Sequence, residues 1–253
     1  MKLLKITMLI LAISMPCISE AKEYQMIFWY PGEAGSTAEA QPTIDLFFDY
    51  INKRVAPDKI SGEYFNSAEE GLKAVKHAKF AIISFATFEI YGDKIGPAKP
   101  LLQTITLPEG KTTEQYTIVG KGEKPFWNTP LYSKQPLTEA FVHKYIIAEN
   151  GVKPATVNNI LPALKEISAG RKSGAVLLQS IEYFSYKNIN QPWKKELSVW
   201  HTSKPVPTAP LIIIGEPPAF TDKLKKILLE MNQNPDGKNI LESLRLAGFI
   251  SPN

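Results

Sequence analysis

Leu211-Ile212-Ile213-Ile214, a helical stretch after it, Asn234-Pro235-Asp236-Gly237-Lys238, a second helix and Ala247-Gly248-Phe249-Ile250-Ser251-Pro252 form the C-terminal run that decides the fold. Four consecutive apolar, mostly β-branched residues predict a strand buried on both faces. The Asn-Pro-Asp-Gly segment is a turn that joins helices, since Pro and Gly there set the backbone and Asn and Asp satisfy it locally. A strand followed by two helices is a unit of an α/β protein.

Working outward, the N-terminal part repeats that alternation. Tyr24-Gln25-Met26-Ile27-Phe28-Trp29-Tyr30 is a β-rich run stopped by Pro31-Gly32. Pro42 stands where a helix N1 proline would and is expected to open a helix over residues 43–54, with Ile44, Phe47, Phe48 and Ile51 on one face. Residues 60–65 read as a second strand. Ser67-Ala68-Glu69-Glu70 has capping-box spacing and starts a helix carrying Leu72 and Val75. Phe80-Ala81-Ile82-Ile83-Ser84-Phe85 is a third strand, running into a short helix-like segment over 86–91. Three βα units in a row predict a parallel sheet with right-handed crossovers.

Residues 101–107 and 116–119 read as two strands around Pro108-Glu109-Gly110, crossing into a second lobe. There, 126–135 is expected to be a polar, aromatic loop, 136–150 an amphipathic helix, 156–169 another helix ending at Gly170, and 175–178 a buried strand. A helix follows through Ser185, then a strand over 197–201, and Pro205-Val206-Pro207 returns the chain to the first lobe. Two α/β lobes joined by two crossings predict a hinged clam shell that binds ligand between the lobes at the C-terminal ends of strands.

Several of these segments resemble the phosphate/phosphonate-type periplasmic solute-binding proteins of ABC transporters. Gly170-Arg171-Lys172-Ser173-Gly174-Ala175-Val176-Leu177-Leu178 is similar to the family's turn from a helix into a strand, and Ser203-Lys204-Pro205-Val206-Pro207 to its return segment. Asn234-Pro235-Asp236-Gly237-Lys238 resembles its Asp-Pro-Glu-Gly-Arg/Lys, and Ala247-Gly248-Phe249-Ile250 its terminal Gly-Phe-Val. The resemblance implies a type 2 periplasmic binding protein fold: α/β, with a mixed, largely parallel sheet in each lobe and a hinge of crossover strands. Lobe 1 is then 22–102 with 206–253, and lobe 2 is 103–205. It also implies a monomer that gives a phosphate- or phosphonate-like solute to a permease. One motif departs. Where phosphonate binders carry a Ser-Thr-Ser-Gly-like cluster at a helix N-terminus, this chain reads Asn128-Thr129-Pro130-Leu131-Tyr132-Ser133-Lys134-Gln135-Pro136-Leu137-Thr138, keeping Ser133 and Thr138 as candidate caps and Lys134 as a charge.

The N-terminus fits that compartment. Met1-Lys2-Leu3-Leu4-Lys5 is cationic, residues 6–16 are apolar but too short to span a bilayer, and Ser19-Glu20-Ala21 offers small residues before a cut at Lys22. Residues 1–21 are therefore expected to be a cleaved signal peptide that sends the protein to the periplasm. Acylation of Cys17 is the competing reading; Pro16 beside it argues against that. With Cys17 removed, the mature chain has no thiol for a disulfide, a metal or a nucleophile. Removing Lys2, Lys5 and Glu20 takes the net charge from +4 to +3, with lysine and glutamate interspersed. That pattern points away from nucleic acid, and no second long apolar run predicts a retained membrane span.

Catalytic parts are missing. His77, His143 and His201 fall in no ligand spacing, and the chain has neither a Gly-x-Ser-x-Gly elbow nor a phosphate-cradling glycine loop. Glu89 and Glu182 are the carboxylates that would have to converge in the cleft as an acid/base pair, and nothing in their spacing supports it. No catalysis, cofactor or metal is expected. The expected ligand contacts are Tyr30, Ser84, Phe85 and Thr87 from lobe 1, and Asn128, Tyr132, Ser133, Gln179, Glu182 and Tyr183 from lobe 2: aromatic walls with a few polar groups. The partners expected are a small-molecule ligand and an ABC permease. A sensor role in an envelope signalling system, on the same fold and without transport, is the second reading.

Overall fold

The computed structural model describes residues 21–33, 35–123, 128–149 and 151–252; the signal peptide read at 1–21 lies outside them except for Ala21. β1 (Glu23–Trp29), α1 (Thr37–Val55), β2 (Lys59–Phe65), α2 (Ala68–Ala74), β3 (Phe80–Ile83), α3 (Phe85–Ile95) and β4 (Ala98–Thr106) alternate as expected. The short β5 (Thr113–Glu114) leads to β6 (Thr117–Lys121), β7 (Pro130–Ser133), α4 (Glu139–Phe141), β8 (Lys153–Thr156), α5 (Ile160–Ser168), β9 (Ala175–Leu178), α6 (Ser180–Asn188) and β10 (Leu197–Thr202). β11 (Val206–Pro207) leads back to β12 (Pro210–Ile214), α7 (Thr221–Glu230), α8 (Pro235–Ser243) and β13 (Leu246–Ile250).

Two sheets organise these elements. The first has the order β13-β4-β12-β3-β1-β2 and the second β10-β6-β9-β7-β8; β5 and β11 pair with each other as a separate ribbon. β1 runs parallel to β2 and β3, and β7 parallel to β8 and β9. β12 is antiparallel to β3 and β4, β13 to β4, and β6 to β9 and β10. The sheets are thus mixed, and the expectation that each is largely parallel is corrected. β12 is entered directly from the ribbon, with no helical crossover to turn the chain round, and a parallel pairing needs such a crossover.

Local chemistry sets several boundaries differently from the sequence reading. α1 begins one and a half turns before Pro42, because Ser36 and Glu39 form a reciprocal capping box that starts the helix at Thr37. Pro42 sits inside the helix and is exposed. The expected helix over 136–150 is only α4 followed by a π-helical turn, Val142–Ile146, and extended backbone from Ile147. His201 Nε2 lies 2.8 Å from the Ile146 carbonyl oxygen, so a side chain from β10 occupies an acceptor that a longer helix would have used. β7 falls in the segment expected to be a loop, and β8 was not expected at all.

Each half buries apolar residues on both faces of its sheet. In the first half, Phe28, Phe47, Ile60, Phe80, Leu211 and Phe249 share one layer, and Trp29, Val75, Ala81, Ile83 and Ile212 the other. In the second half the layers form around Ile118, Leu131 and Leu177, and around Val119, Leu164 and Val176. Phe85 and Ala86 at the start of α3 are buried with the second half's Tyr116 and Phe141, so the halves share apolar contact as well as chain crossings.

Candidate functional site

A cavity of about 390 Å³ opens between the halves, within the size range of small-molecule sites. Phe28 and Tyr30 line it from the end of β1, Ser84 from the end of β3, and Gln179 from the end of β9. Glu114 and Thr208 line it from the crossover segments. Strand ends, where backbone direction changes into a loop or helix, are where open α/β sheets place ligands.

The crossover is tightly hydrogen-bonded. Glu114 pairs with Val206 and Thr113 with Pro207 in the ribbon. Ser203 N donates to the Tyr116 carbonyl at 2.8 Å, Tyr116 N donates to Ser203 Oγ at 2.9 Å, and Thr208 N donates to the Thr112 carbonyl at 3.0 Å. The loop after β1 and the loop after β7 meet closely. A Cβ built on Gly32, whose φ is +83°, would lie 2.1 Å from the Lys134 carbonyl oxygen, so this position admits glycine both sterically and conformationally.

The charges at the site are mainly negative. Lys134 Nζ lies 3.1 Å from Glu182 Oε1 and 3.9 Å from Glu33 Oε2, with the lysine side chain only 15% exposed. Glu182 also accepts from the Gln179 backbone N–H at 3.0 Å. Burial pushes the Glu182 carboxyl above its usual range, against the pull of Lys134. Glu114 has no such cation: burial, then the carboxylates of Glu33 and Glu182, push it up to about 8. Tyr30 and Tyr64 are likewise raised, first by burial and then by Glu33, Tyr64 to about 12. Arg245, exposed and in the left-handed region at φ 59°, also lines the cavity.

Of the residues expected to contact ligand, Tyr30, Ser84 and Gln179 line the cavity. Ser84 is also the N-cap of α3, accepting from the Thr87 N–H at 3.2 Å, and its hydroxyl lies 2.6 Å from that of Thr87, which is buried. Phe85 packs at 5.1 Å, edge to face, on Tyr145. Glu182 stands behind the wall, on Lys134. Ser133 is buried and donates to the Gln135 carbonyl at 2.6 Å. Tyr132 packs beside α5 with Lys172 Nζ 4.1 Å over its ring. Tyr183 stacks on Tyr186, and Asn128 is exposed at φ 60°. The sequence reading passed over Phe28, Glu33, Tyr64, Glu114, Phe184 and Arg245, all of which line the cavity. Glu33 was the findable one, three residues after Tyr30 in the same strand-ending turn.

Glu89, His77 and His143 lie outside the cavity lining. Glu89 is exposed, pairs with Lys144 at 3.2 Å and accepts from Tyr145. His77 and His143 are exposed. Among the described residues no three His, Cys, Asp or Glu side chains gather as a metal site, and no helix is long and apolar enough to cross a membrane.

Residues 140–253 match the family model described as ABC transporter, phosphonate, periplasmic substrate-binding protein, a family of binding proteins rather than enzymes. No curated protein sequence matches the chain. Three solved structures show the same fold. A binding protein component of an ABC phosphonate transporter from Pseudomonas aeruginosa aligns at TM-score 0.65 and 10% identity, covering 92% of this chain and 82% of that one. PhnD1 from Prochlorococcus marinus, in complex with methylphosphonate, aligns at TM-score 0.62 and 11% identity, covering 91% and 93%. An ancestral arginine-binding protein bound to arginine aligns at TM-score 0.55 and 16% identity, covering 87% and 97%. Along most of its length the chain has the fold of these type 2 solute-binding proteins, and residues 140–253 carry the match to the phosphonate-type family.

Proposed function

We propose that the protein binds one small polar solute in the cavity between its halves and delivers it to an ABC permease, working in the periplasm after removal of residues 1–21. The halves act as lobes, 22–102 with 206–253 and 103–205, that hinge at the β5–β11 ribbon. The observation that carries this reading is the cavity itself, walled at strand ends by both sheets and floored by the crossover segments. Ligand binding shifts the open and closed populations, and the permease reads the closed form. A phosphate- or phosphonate-like oxyanion is the first solute suggested by the family, but the fold does not choose the charge: one structural neighbour holds methylphosphonate and another arginine.

Differential scanning fluorimetry of residues 22–253 against small anions, phosphonates, amines and amino acids tests the reading. A ligand at about a hundred times its Kd adds about 2.7 kcal/mol, a shift of several degrees. Response to one chemical class is the expected result. A blank across every class removes solute binding and favours the envelope-sensor role, in which a protein is the partner.

A further inference from the structure

Resting on the solute-binding reading, we infer that the solute of this cavity is a small organic cation, an ammonium or guanidinium on a short apolar body, held by Glu33 and Glu114 against the rings of Tyr30 and Tyr64.

The groups that would hold an oxyanion are already occupied. Helix N-termini attract anions through unpaired N–H groups and the helix dipole, and three helices begin at this cavity. Two are closed by their own glutamates. At α1, Glu39 accepts from Ser36 N at 2.7 Å, and at α6, Glu182 accepts from Gln179 N at 3.0 Å. α3, which starts at the cavity-lining Ser84, is capped by that serine. Ser133 spends its hydroxyl on the Gln135 carbonyl, Thr138 caps Phe141 N at 3.1 Å, and Lys134 is held by Glu182 and Glu33. An arriving phosphonate would meet carboxylates where the family's motif offers hydroxyls.

The groups left over suit a cation. Glu109 is satisfied by Lys111 at 2.7 Å and Glu39 by its capping box. Glu33 and Glu182 share a single lysine and Glu114 faces none, so two carboxylates are in excess when all are ionised. Glu114 is half-buried on the hinge ribbon and lines the cavity, with no hydrogen bond or ion pair to its carboxylate among the described residues, and a partly desolvated carboxylate without a partner favours something positive joining it. Aromatic faces beside those carboxylates add cation–π attraction of about 0.5–2 kcal/mol. Arg245, the cavity's one lining cation among the described residues, is exposed and interacts with Tyr64 rather than with Glu114.

Isothermal titration of residues 22–253 with choline, agmatine and putrescine, and at matched ionic strength with methylphosphonate and inorganic phosphate, decides the question. Saturable binding of at least one cation with no response to either anion is expected. Glu114→Gln and Glu33→Gln should each weaken it at least tenfold while Glu69→Gln, on the far-side pair with Lys73, leaves it unchanged. Binding of an anion alone overturns the cation assignment and leaves the solute-binding reading standing. Failure of all five probes at 10 mM, with folding verified by circular dichroism, overturns the assignment, and the solute-binding reading then falls only if the broader fluorimetry panel is blank as well.

Discussion

Glu114 links the stability of the fold to the proposed binding of a cation. Its folded-state pKa of about 8 lies above the ordinary carboxylate value near 4.5, so the folded chain keeps a proton that the unfolded chain has lost between those limits. The stability from this group is therefore full below about pH 4.5 and is lost as pH rises through about 8. In thermal melts of the ligand-free protein, Glu114→Gln should flatten that decline and raise Tm near pH 8. A cation needs the ionised form, so its affinity should rise by up to about tenfold per pH unit below about 8 and then level. The groups around Glu114 are Glu33 from the turn after β1, Glu182 from α6, Lys134 after β7, and Tyr30 and Tyr116, whose hydroxyls stay protonated in this range. A flat affinity profile from pH 6 to 9 would remove Glu114 from the binding step. Lys134 makes the reciprocal case. Lys134→Met strands the Glu182 carboxylate, whose side chain is 8% exposed, and should cost about 3 kcal/mol in denaturant melts. The double variant Lys134→Met/Glu182→Gln should recover much of that loss.

At the scale of elements, β12 is the keystone of the first sheet. Leu211 is fully buried, opposite Ile82 of β3 and Leu102 of β4, so Leu211→Ala should cost about 2–5 kcal/mol in chemical denaturation by opening a cavity between two ladders. This strand was plain in the sequence because burial on both faces removes polar alternation. β9 was equally plain for the same reason, and its boundaries at Ala175 and Leu178 fall where expected. Elements decided by distant partners were not plain. β7 and β8 hold together as a parallel pair that neither segment's composition announces, and the truncated helix before Ile147 depends on His201 from β10. α1 was misplaced because Pro42 outweighed the Ser36–Glu39 box that begins six residues earlier.

For the whole molecule, the close approach of Gly32 to Lys134 ties the proposed closure to one position. Gly32→Ala adds a methyl at 2.1 Å from backbone and puts a side chain at positive φ, so the loops cannot meet as they do here. The variant should favour the open form: a larger radius of gyration by small-angle scattering with saturating ligand, and an affinity lowered in proportion to the closed fraction that remains. Unchanged scattering and affinity would mean that the two loops do not gate the cavity.

The sequence alone determined the α/β alternation and the return of the chain to its first sheet, because buried strands, caps and Pro-Gly turns are written in residues that are neighbours along the chain; the type 2 binding fold was legible through the resemblance of its C-terminal motifs to the phosphonate-type binding proteins. Tyr30, Ser84 and Gln179 were legible for the same reason, as residues just past the ends of recognisable strands. Only the tertiary structure decided the character of the site. Glu114 sits on a two-residue strand, Glu33 and Lys134 come from different halves, and Ser133 looks free until its hydroxyl is seen bound to Gln135. Which polar groups are already satisfied, and which carboxylates share a cavity without a counter-ion, depends on distances between segments far apart in the chain, and local sequence does not encode those distances.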